Sequence, residues 1–392
     1  MRYRIRETIA SAFGDVIVAL ALLAAPAPTI AAPPIKWPVV ASPNNGTSDN
    51  VFNGVSCPTA TFCAAVGQYR DTGLGVLATL VESWNGTAWT IVSSPTSPTT
   101  DSGLNGVSCA SASSCIAVGF YLDGSGFSRT LIEKWDGTSW TAASSPNASS
   151  ASNSLSGVSC ASAGSCTAVG SYDTGSSLFQ TLIEQWDGTN WSLAASPNSG
   201  TSHNYLHGVS CPSATFCTAV GDFTPSSGPE QTLIETWGGT AWSIASSSNA
   251  FGSNFLYGVT CLSSTSCTAV GAAGTFQSFR TLAESWDGAT WSIAPSENNG
   301  SGTNFFNGVS CTMPHKNLAC AAVGSGSPTP SGTFQTLVEG LKRGSFAIES
   351  SANPGTSHNF LGGVSCAPGG SCFAVGNTHV SGVSQTLVLM QR

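Results

Sequence analysis

Charge is scarce in this chain. Only 8% of its 392 residues are charged, and residues 32–392 hold nine Lys and Arg against 18 Asp and Glu, a net charge of −9. No stretch is basic, and an acidic surface repels nucleic acid and anionic lipid. We therefore expect no nucleic-acid partner. The hydrophobic content of 41% is enough for a large core and argues against a disordered chain.

Long apolar runs are missing as well, except near the N-terminus. Val16–Ala25 is an apolar run of ten residues, which is too short to span a bilayer comfortably. Three arginines precede this run and small residues around Ala31 follow it, which is the pattern of a secretory signal peptide. An uncleaved N-terminal anchor is the alternative. We predict a signal peptide over 1–31 and a secreted, extracellular mature protein without a membrane span, in a compartment where disulfides persist.

The sequence patterns of common enzymes are also absent. The five His are scattered, and the sequence contains no G-x-S-x-G, H-E-x-x-H or phosphate-binding loop. We therefore predict no catalytic residue, no metal site and no cofactor.

The chain does contain a repeat. Each unit carries two cysteines between short apolar runs, as in GVSCASAGSCTAVG at 157–170, and seven such units follow one another every 50–55 residues. A period near 50 is typical of solenoids and propellers. Four short runs per unit are rich in β-branched and aromatic residues and are separated by Gly, Ser, Asn and Pro, which predicts four strands. The units start near 51, 104, 155, 206, 256, 306 and 361.

The two chain ends indicate a closed ring. The seventh unit stops after its third strand, whereas residues 37–42 match the fourth strand of the first unit, which starts at Trp89. An N-terminal strand over 37–42 that completes the last unit leaves no unpaired edge, and an open solenoid has no need for it. We predict an all-β fold over 32–392, a single seven-bladed β-propeller of four-stranded antiparallel blades.

The units resemble kelch repeats, which build the central domain of galactose oxidase. Cys115–Gly119 followed by Ile132–Trp140 has the kelch order of a strand ending in Gly, an aromatic-Asp turn and a Trp. The second Gly of the kelch pair is replaced, for example by Phe120 and Ser171, and the cysteines are an addition. The Asp-Gly-Thr-x-Trp turn is also similar to a shortened Asp-box of sialidase propellers. The resemblance implies a secreted bacterial propeller of kelch-like build. The copper site of kelch-like oxidases needs an unpaired Cys, which this chain does not offer if its cysteines are paired.

The fourteen cysteines form seven pairs that flank the link between the first and second strands of a unit. Facing positions of an antiparallel hairpin lie within disulfide reach. A metal site needs further ligands and a redox site needs an activated thiolate, and most units offer neither. The longest link, between Cys311 and Cys320, contains His315 and Lys316. A ligand site at these two residues is an alternative to a simple hairpin tip. The predicted disulfides are Cys57–Cys63, Cys109–Cys115, Cys160–Cys166, Cys211–Cys217, Cys261–Cys267, Cys311–Cys320 and Cys366–Cys372.

Two further residue types recur at fixed places. Tryptophan pairs run from Trp84 and Trp89 in the first unit to Trp286 and Trp291 in the fifth. Repetition favours packing between blades over stacking on sugars. A glutamate recurs within the third strand of six units, starting with Glu82. We predict a structural hydrogen bond for this glutamate, because catalysis does not need six copies.

Binding residues are expected on loops that vary, since a rigid scaffold commonly presents its ligand site on such loops. The links between second and third strands and the links between blades share one face. Six of the seven blade links end in an Asn, which an aromatic residue follows in four adjacent blades. Local turns by the Asn and plugging of the channel mouth by the rings are the alternative. The candidate ligand-binding residues are Asn204, Tyr205, Asn254, Phe255, Asn304, Phe305, Asn359 and Phe360, with Tyr121, Asp123, Tyr172 and Asp173 from the other links.

These residues favour one function over two others. Amides and aromatic rings on a rigid ring indicate a secreted, monomeric, non-catalytic binding module for a glycan or an extracellular protein surface. An extracellular hydrolase or lyase that acts on polysaccharide through Asp and Tyr residues of the first three units, such as Asp123 and Asp173, is one alternative. A structural cell-surface protein is the other, because propellers host unrelated functions.

Overall fold

The computed structural model describes residues 36–391, except 96–98, 276, 314–318, 343, 356, 369 and 370. The predicted signal peptide and the alternative site at His315 and Lys316 lie outside the described residues. The described part of the chain forms 28 strands in seven four-stranded antiparallel sheets. The predicted all-β, seven-bladed propeller is therefore confirmed. Within the same residues, no helix is long and apolar enough to cross a membrane.

Each blade runs from a long inner strand to a short outer strand. Blade 1 holds β2 (Asn50–Thr59), β3 (Phe62–Asp71), β4 (Val76–Trp84) and β5 (Trp89–Ile91), and blade 2 holds β6 (Ser102–Ser111), β7 (Ser114–Leu122), β8 (Ser128–Trp135) and β9 (Trp140–Ala143). Blade 3 holds β10 (Asn153–Ser162), β11 (Ser165–Asp173), β12 (Phe179–Trp186) and β13 (Trp191–Ala194), and blade 4 holds β14 (Asn204–Ser213), β15 (Phe216–Phe223), β16 (Gln231–Trp237) and β17 (Trp242–Ala245). Blade 5 holds β18 (Ser253–Ser263), β19 (Ser266–Thr275), β20 (Ser278–Trp286) and β21 (Trp291–Ile293), and blade 6 holds β22 (Asn304–Thr312), β23 (Ala319–Gly326), β24 (Gln335–Lys342) and β25 (Ser345–Ile348). Blade 7 holds β26 (Asn359–Cys366), β27 (Cys372–Val380), β28 (Val383–Met390) and the N-terminal β1 (Val39–Val40).

The N-terminal strand closes the ring as predicted. Strand β1 pairs antiparallel with β28, and the inner strands β2 and β26 pack against each other. The pairing is shorter than the predicted 37–42, because the backbone N–H of Trp37 donates to the carbonyl of Ser350 in blade 6 instead. The Trp37 side chain is fully buried, and its Nε1 donates to Glu349 Oε2 at 2.9 Å. The N-terminal segment from Trp37 to Val40 is thus bound to blade 6 as well as to blade 7.

The hydrophobic core lies between the blades. At the seam of blades 2 and 3, Val118 and Ile132 pack with Leu155, Ala168 and Trp191. Corresponding clusters occupy the other six seams, including the one that joins blade 7 to blade 1. Each buried side chain contributes about 1.5–3 kcal/mol, so every blade depends on both neighbours.

A β-bulge interrupts every inner strand at the same place. In blade 3 the register shifts between Leu155 and Gly157, which leaves Ser156 without a partner in β11. The bulged inner strand packs closely against the glycine of the repeated Ala-Val-Gly in the second strand. A Cβ atom on Gly170 would lie 2.0 Å from the Ser154 carbonyl oxygen, and the six equivalent glycines are equally crowded. Only glycine lets the two backbones approach this closely.

The seven predicted disulfides are all present. The same segment also links blades, because in six of the seven units the Ser before the first cysteine bonds to the next blade. The backbone N–H of Cys160 donates to Ser108 Oγ at 3.0 Å, and five other seams repeat this bond. The Ser-Cys pair therefore closes its own hairpin and bonds to a neighbour.

The repeated glutamates make the predicted structural hydrogen bonds. Glu184 is fully buried and accepts from Ser145 Oγ of the preceding blade at 2.9 and 3.1 Å. Burial away from water raises the pKa of Glu184 to about 8. In blade 7, where Leu389 replaces the glutamate, the buried Glu349 of blade 6 accepts instead from Trp37 and Lys36. Buried carboxyl groups thus form hydrogen bonds across the seams of the ring.

Asp-Gly is typical of a type I′ hairpin turn, but the turn after Trp135 is not of this type. A type I′ turn needs a positive φ at two residues, whereas only Gly137 has one, at 98°. Asp136 has no positive φ, and its carboxylate accepts from the backbone N–H groups of Thr138 and Ser139. The turn is therefore set by one glycine and one carboxylate.

Candidate functional site

Two groups of contacting aromatic rings lie at the loop-rich end of the inner strands, one across blades 3 to 5 and the other across blades 6 and 7. We call the two groups together the aromatic arc. Within it, Tyr205 stacks on His207 at 6.3 Å, and His207 contacts Tyr257 at 5.4 Å between ring centroids. Every ring of the arc is half-buried and so keeps part of its surface open. Its members are Phe179, His203, Tyr205, His207, Phe255, Tyr257, Phe279, Phe305, Phe334, His358, Phe360 and His379.

A small cavity lies between the two halves of the arc. It has a volume of about 170 Å³ and is lined by Tyr257, Ala272, Phe279, Phe305 and Asn307. Aromatic rings thus form most of its wall. Its size is that of one apolar side chain.

Local structure explains why the rings collect here. Each aromatic of the inner strand faces a short residue on the second strand, as Phe255 faces Ala272 and Phe305 faces Ser325. Further rings come from the loops, and backbone contacts hold them. His358 Nδ1 accepts the backbone N–H of Phe334 at 3.1 Å, and His203 makes the same contact in blade 4. The imidazole therefore carries its proton on Nε2 and can donate it outward.

The bulge supplies two arc residues that the sequence interpretation missed. In blade 1 the bulged Asn53 donates to the Leu104 carbonyl of the next blade at 2.8 Å, and two other blades do the same. In blades 4 and 5 this position holds His207 and Tyr257 instead. The sequence does show this difference, because the Asn that directly precedes the repeated Gly-Val in three units is replaced by His207 and Tyr257 in units 4 and 5.

A buried carboxylate organises this part of the arc. Asp222 Oδ1 lies 2.7 Å from His207 Nε2, and Asp222 is only 5% exposed. Burial, followed by the charge of Asp222, raises the pKa of Tyr257 to about 12 and also raises that of Tyr205. Both hydroxyls therefore stay protonated at neutral pH. They suit hydrogen bonding to a ligand better than nucleophilic attack.

The structure brings the predicted aromatics together but turns the predicted amides elsewhere. Tyr205, Phe255, Phe305 and Phe360 all belong to the arc. Asn204 is fully buried; its Oδ1 accepts from Ser199 N–H at 2.7 Å and its Nδ2 donates to the Ser202 carbonyl at 2.8 Å. Loop bonds of the same kind hold Asn254, Asn304 and Asn359. These amides shape the loops that carry the rings.

The remaining candidates lie on blades 2 and 3, outside the arc. Tyr121 is exposed on the second strand of blade 2. Asp123 Oδ2 accepts from Arg129 Nε at 2.8 Å, and its Oδ1 accepts from a loop N–H. Tyr172 donates to Gln180 Oε1 at 2.9 Å, and Asp173 accepts from the N–H of Gly175. Asp123 and Asp173 thus hold their own loops, and Tyr172 bonds to the neighbouring strand of its blade.

This face presents mainly aromatic rings and groups that form hydrogen bonds. Among the residues described, no group of three or more His, Cys, Asp or Glu is placed to hold a metal ion. The arc offers ring faces, two tyrosine hydroxyls and imidazole donors. Such groups recognise apolar side chains, carbonyl oxygens and sugar rings.

No protein-family model and no curated protein sequence matches this chain. Solved structures do match in fold over most of its length. A structure of YCF48 from Cyanidioschyzon merolae has a TM-score of 0.53 at 11% identity, covering 91% of this chain and 99% of that one. A structure of YCF48 bound to D1 peptide has a TM-score of 0.52 at 12% identity, covering 91% and 94%. At such low identity these likenesses show the fold alone, that of a β-propeller.

Proposed function

We propose that this protein is a secreted, non-catalytic binding module of kelch-like build, which holds a segment of a partner protein across the aromatic arc. The arc itself carries this proposal. Rings from five adjacent blades stay partly open on one face. Clustered aromatics with few charged neighbours are typical of the energetic centre of protein interfaces.

The cavity in the arc favours a protein segment as the ligand. Its volume of about 170 Å³ accommodates one apolar side chain, with Tyr257, Phe279 and Phe305 around it. The Tyr257 and Tyr205 hydroxyls and the imidazoles can then donate to carbonyl oxygens of the bound backbone. A β-propeller of the same fold, YCF48, was solved with a D1 peptide, so peptide binding is within the capacity of this architecture.

The sequence-derived candidates take different parts in this proposal. Tyr205, Phe255, Phe305 and Phe360 contact the ligand directly. Asn204, Asn254, Asn304 and Asn359 hold the loops that place those rings. The second group, Tyr121, Asp123, Tyr172 and Asp173, lies at the border of the same face. We do not extend the proposal to catalysis, because Asp123 and Asp173 are engaged in their own loops.

A random peptide display library and a glycan array, both probed with the mature protein, test the proposal. We expect enrichment of peptides with an aromatic or large aliphatic anchor, and a loss of about 100-fold in affinity for Phe255→Ala with Phe305→Ala. Phe251→Ala is the matched control, since that ring is 87% exposed and lies outside the arc. Peptide binding that survives the double substitution contradicts the proposal. Binding to glycans alone, lost in the same variant, would assign the arc to sugars instead.

A further inference from the structure

Two equivalent clefts open on the side of the ring, away from the aromatic arc. Cleft 3/4 lies at the seam of blades 3 and 4, has a volume of about 490 Å³ and is lined by Gln185, Ser196, Trp237 and Trp242 among others. Cleft 4/5 lies one blade further on, measures about 450 Å³ and contains Trp286 and Trp291 at the corresponding positions. Their volumes lie within the range of small-molecule sites.

Each cleft combines a fixed indole with uncharged polar groups. The Trp237 ring packs against the buried Trp242 at 5.9 Å, and its Nε1 donates to the Ala214 carbonyl at 3.3 Å. Trp237 is nevertheless half-buried, so part of the ring remains available in the cleft. The other lining residues are Ala, Pro, Ser, Thr and Gln, and none is charged in either cleft. A rigid flat ring bordered by neutral donors and acceptors matches the C–H face and hydroxyl edge of a pyranose.

The seam of blades 2 and 3 shows what happens when the same indole is covered. Lys134 has the same register position as Gln185, each facing the residue after the second Trp of its hairpin. Its Nζ lies 5.5 Å from the ring centroid of Trp186, which is the counterpart of Trp237. The Lys134 ammonium group thus covers one face of the Trp186 ring through a cation–π contact. In the next two seams, Gln185 and Thr236 stand at this position and provide no such cation.

We propose that clefts 3/4 and 4/5 are a pair of binding sites for neutral pyranose units of a polysaccharide, independent of the aromatic arc. Two copies of one site on neighbouring blades suit a ligand that itself repeats. Engagement of both clefts by one chain makes the second contact intramolecular, which raises the overall affinity above that of either cleft.

Affinity electrophoresis in native gels that contain dextran, mannan, xylan or galactan tests this proposal. We expect one of these neutral polysaccharides to retard the mature protein. Trp237→Ala and Trp286→Ala should each weaken the retardation about tenfold, and the double variant should abolish it. Gln185→Lys should weaken it too, by covering Trp237 as Lys134 covers Trp186. Because Gln185→Lys leaves the tryptophans in place, it keeps the test valid if the alanine variants fold poorly.

The outcomes separate this proposal from the proposed function. Retardation that is retained in Phe255→Ala with Phe305→Ala, and lost in the tryptophan variants, supports rim sites that act apart from the arc. Lys134→Gln should open a third cleft and strengthen retardation. No retardation by any of the four polysaccharides overturns the proposal, and so does retardation that the tryptophan variants and Gln185→Lys leave unchanged. Neither result bears on peptide binding at the arc.

Discussion

The buried glutamates make the stability of the ring depend on pH, and Glu184→Gln tests this most directly. Glu184 has no solvent exposure, and burial raises its pKa from 4.5 to about 8. Between these two values the folded state keeps a proton that the unfolded state releases. Each pH unit in this window therefore removes about 1.4 kcal/mol from the free energy of unfolding. The stabilisation is complete below pH 4.5 and is lost as pH rises toward 8.

Glutamine removes this titration but keeps an oxygen that can accept from Ser145. At pH 5 we expect the free energy of unfolding of Glu184→Gln to equal that of the wild type or to be lower by at most about 1 kcal/mol. At pH 8 the free energy of unfolding of the variant should exceed that of the wild type by roughly 3 kcal/mol. This figure is the stability that the wild type loses between pH 5 and 8, minus the stability that the substitution costs at pH 5. Urea unfolding monitored by tryptophan fluorescence at each pH unit from 5 to 9 measures the difference.

The exposed hairpin carboxylate Asp187 provides the control. Hydrogen bonds from the N–H groups of Asn190 and Thr189 lower its pKa below the usual 3.8, so it stays ionised throughout the assay. Asp187→Asn should shift the stability by the same amount at every pH. If the curves of wild type and Glu184→Gln run parallel from pH 5 to 9, the assignment of a neutral, buried Glu184 is refuted.

Three further predictions concern the repeat and its processing. Replacing Cys160 and Cys166 by Ser should lower the free energy of unfolding by about 2 kcal/mol, and titration of the denatured, unreduced wild type should find no free thiol. Gly170→Ala should cost about 3 kcal/mol or prevent folding, because its Cβ meets a carbonyl oxygen, whereas Gly124→Ala, in open space, should cost less than about 0.5 kcal/mol. N-terminal sequencing of protein from the culture medium should find residue 32 first, and retention of residues 1–31 would favour the anchor instead.

Repetition explains why the fold could be predicted from the sequence. Seven copies of one phrase specify one local geometry, and the pairing of the cysteines then follows from the antiparallel hairpin. Closure could also be predicted, because the strand missing at the C-terminus appears at the N-terminus. The length of that strand could not, since Trp37 bonds to Ser350, which lies in another blade.

The candidate site was only partly predictable from the sequence. An Asn before a strand suits a ligand contact and a local turn equally well, and only the positions of the neighbouring N–H groups distinguish them. His207 and Tyr257 were not predicted, because their place in the aromatic arc depends on a β-bulge in each inner strand. Lys134 belongs to blade 2 and Trp186 to blade 3. Their contact depends on how the two blades pack, so it could not be predicted from the sequence of one repeat.

The closing pair of strands also has a kinetic consequence. Val39 pairs with Leu389 from the opposite end of the ring's sequence, so we expect this pairing to carry a large loop-closure entropy and to form late. Until then a nascent molecule exposes the unpaired edge of β28, which invites pairing with another chain. Moving β1 to the C-terminus, directly after β28, would turn the longest-range contact of the molecule into a hairpin. The packing of β2 against β26 and β28 would keep its sequence separation, so the strand pairing would become local while the ring would still have to close between blades 7 and 1.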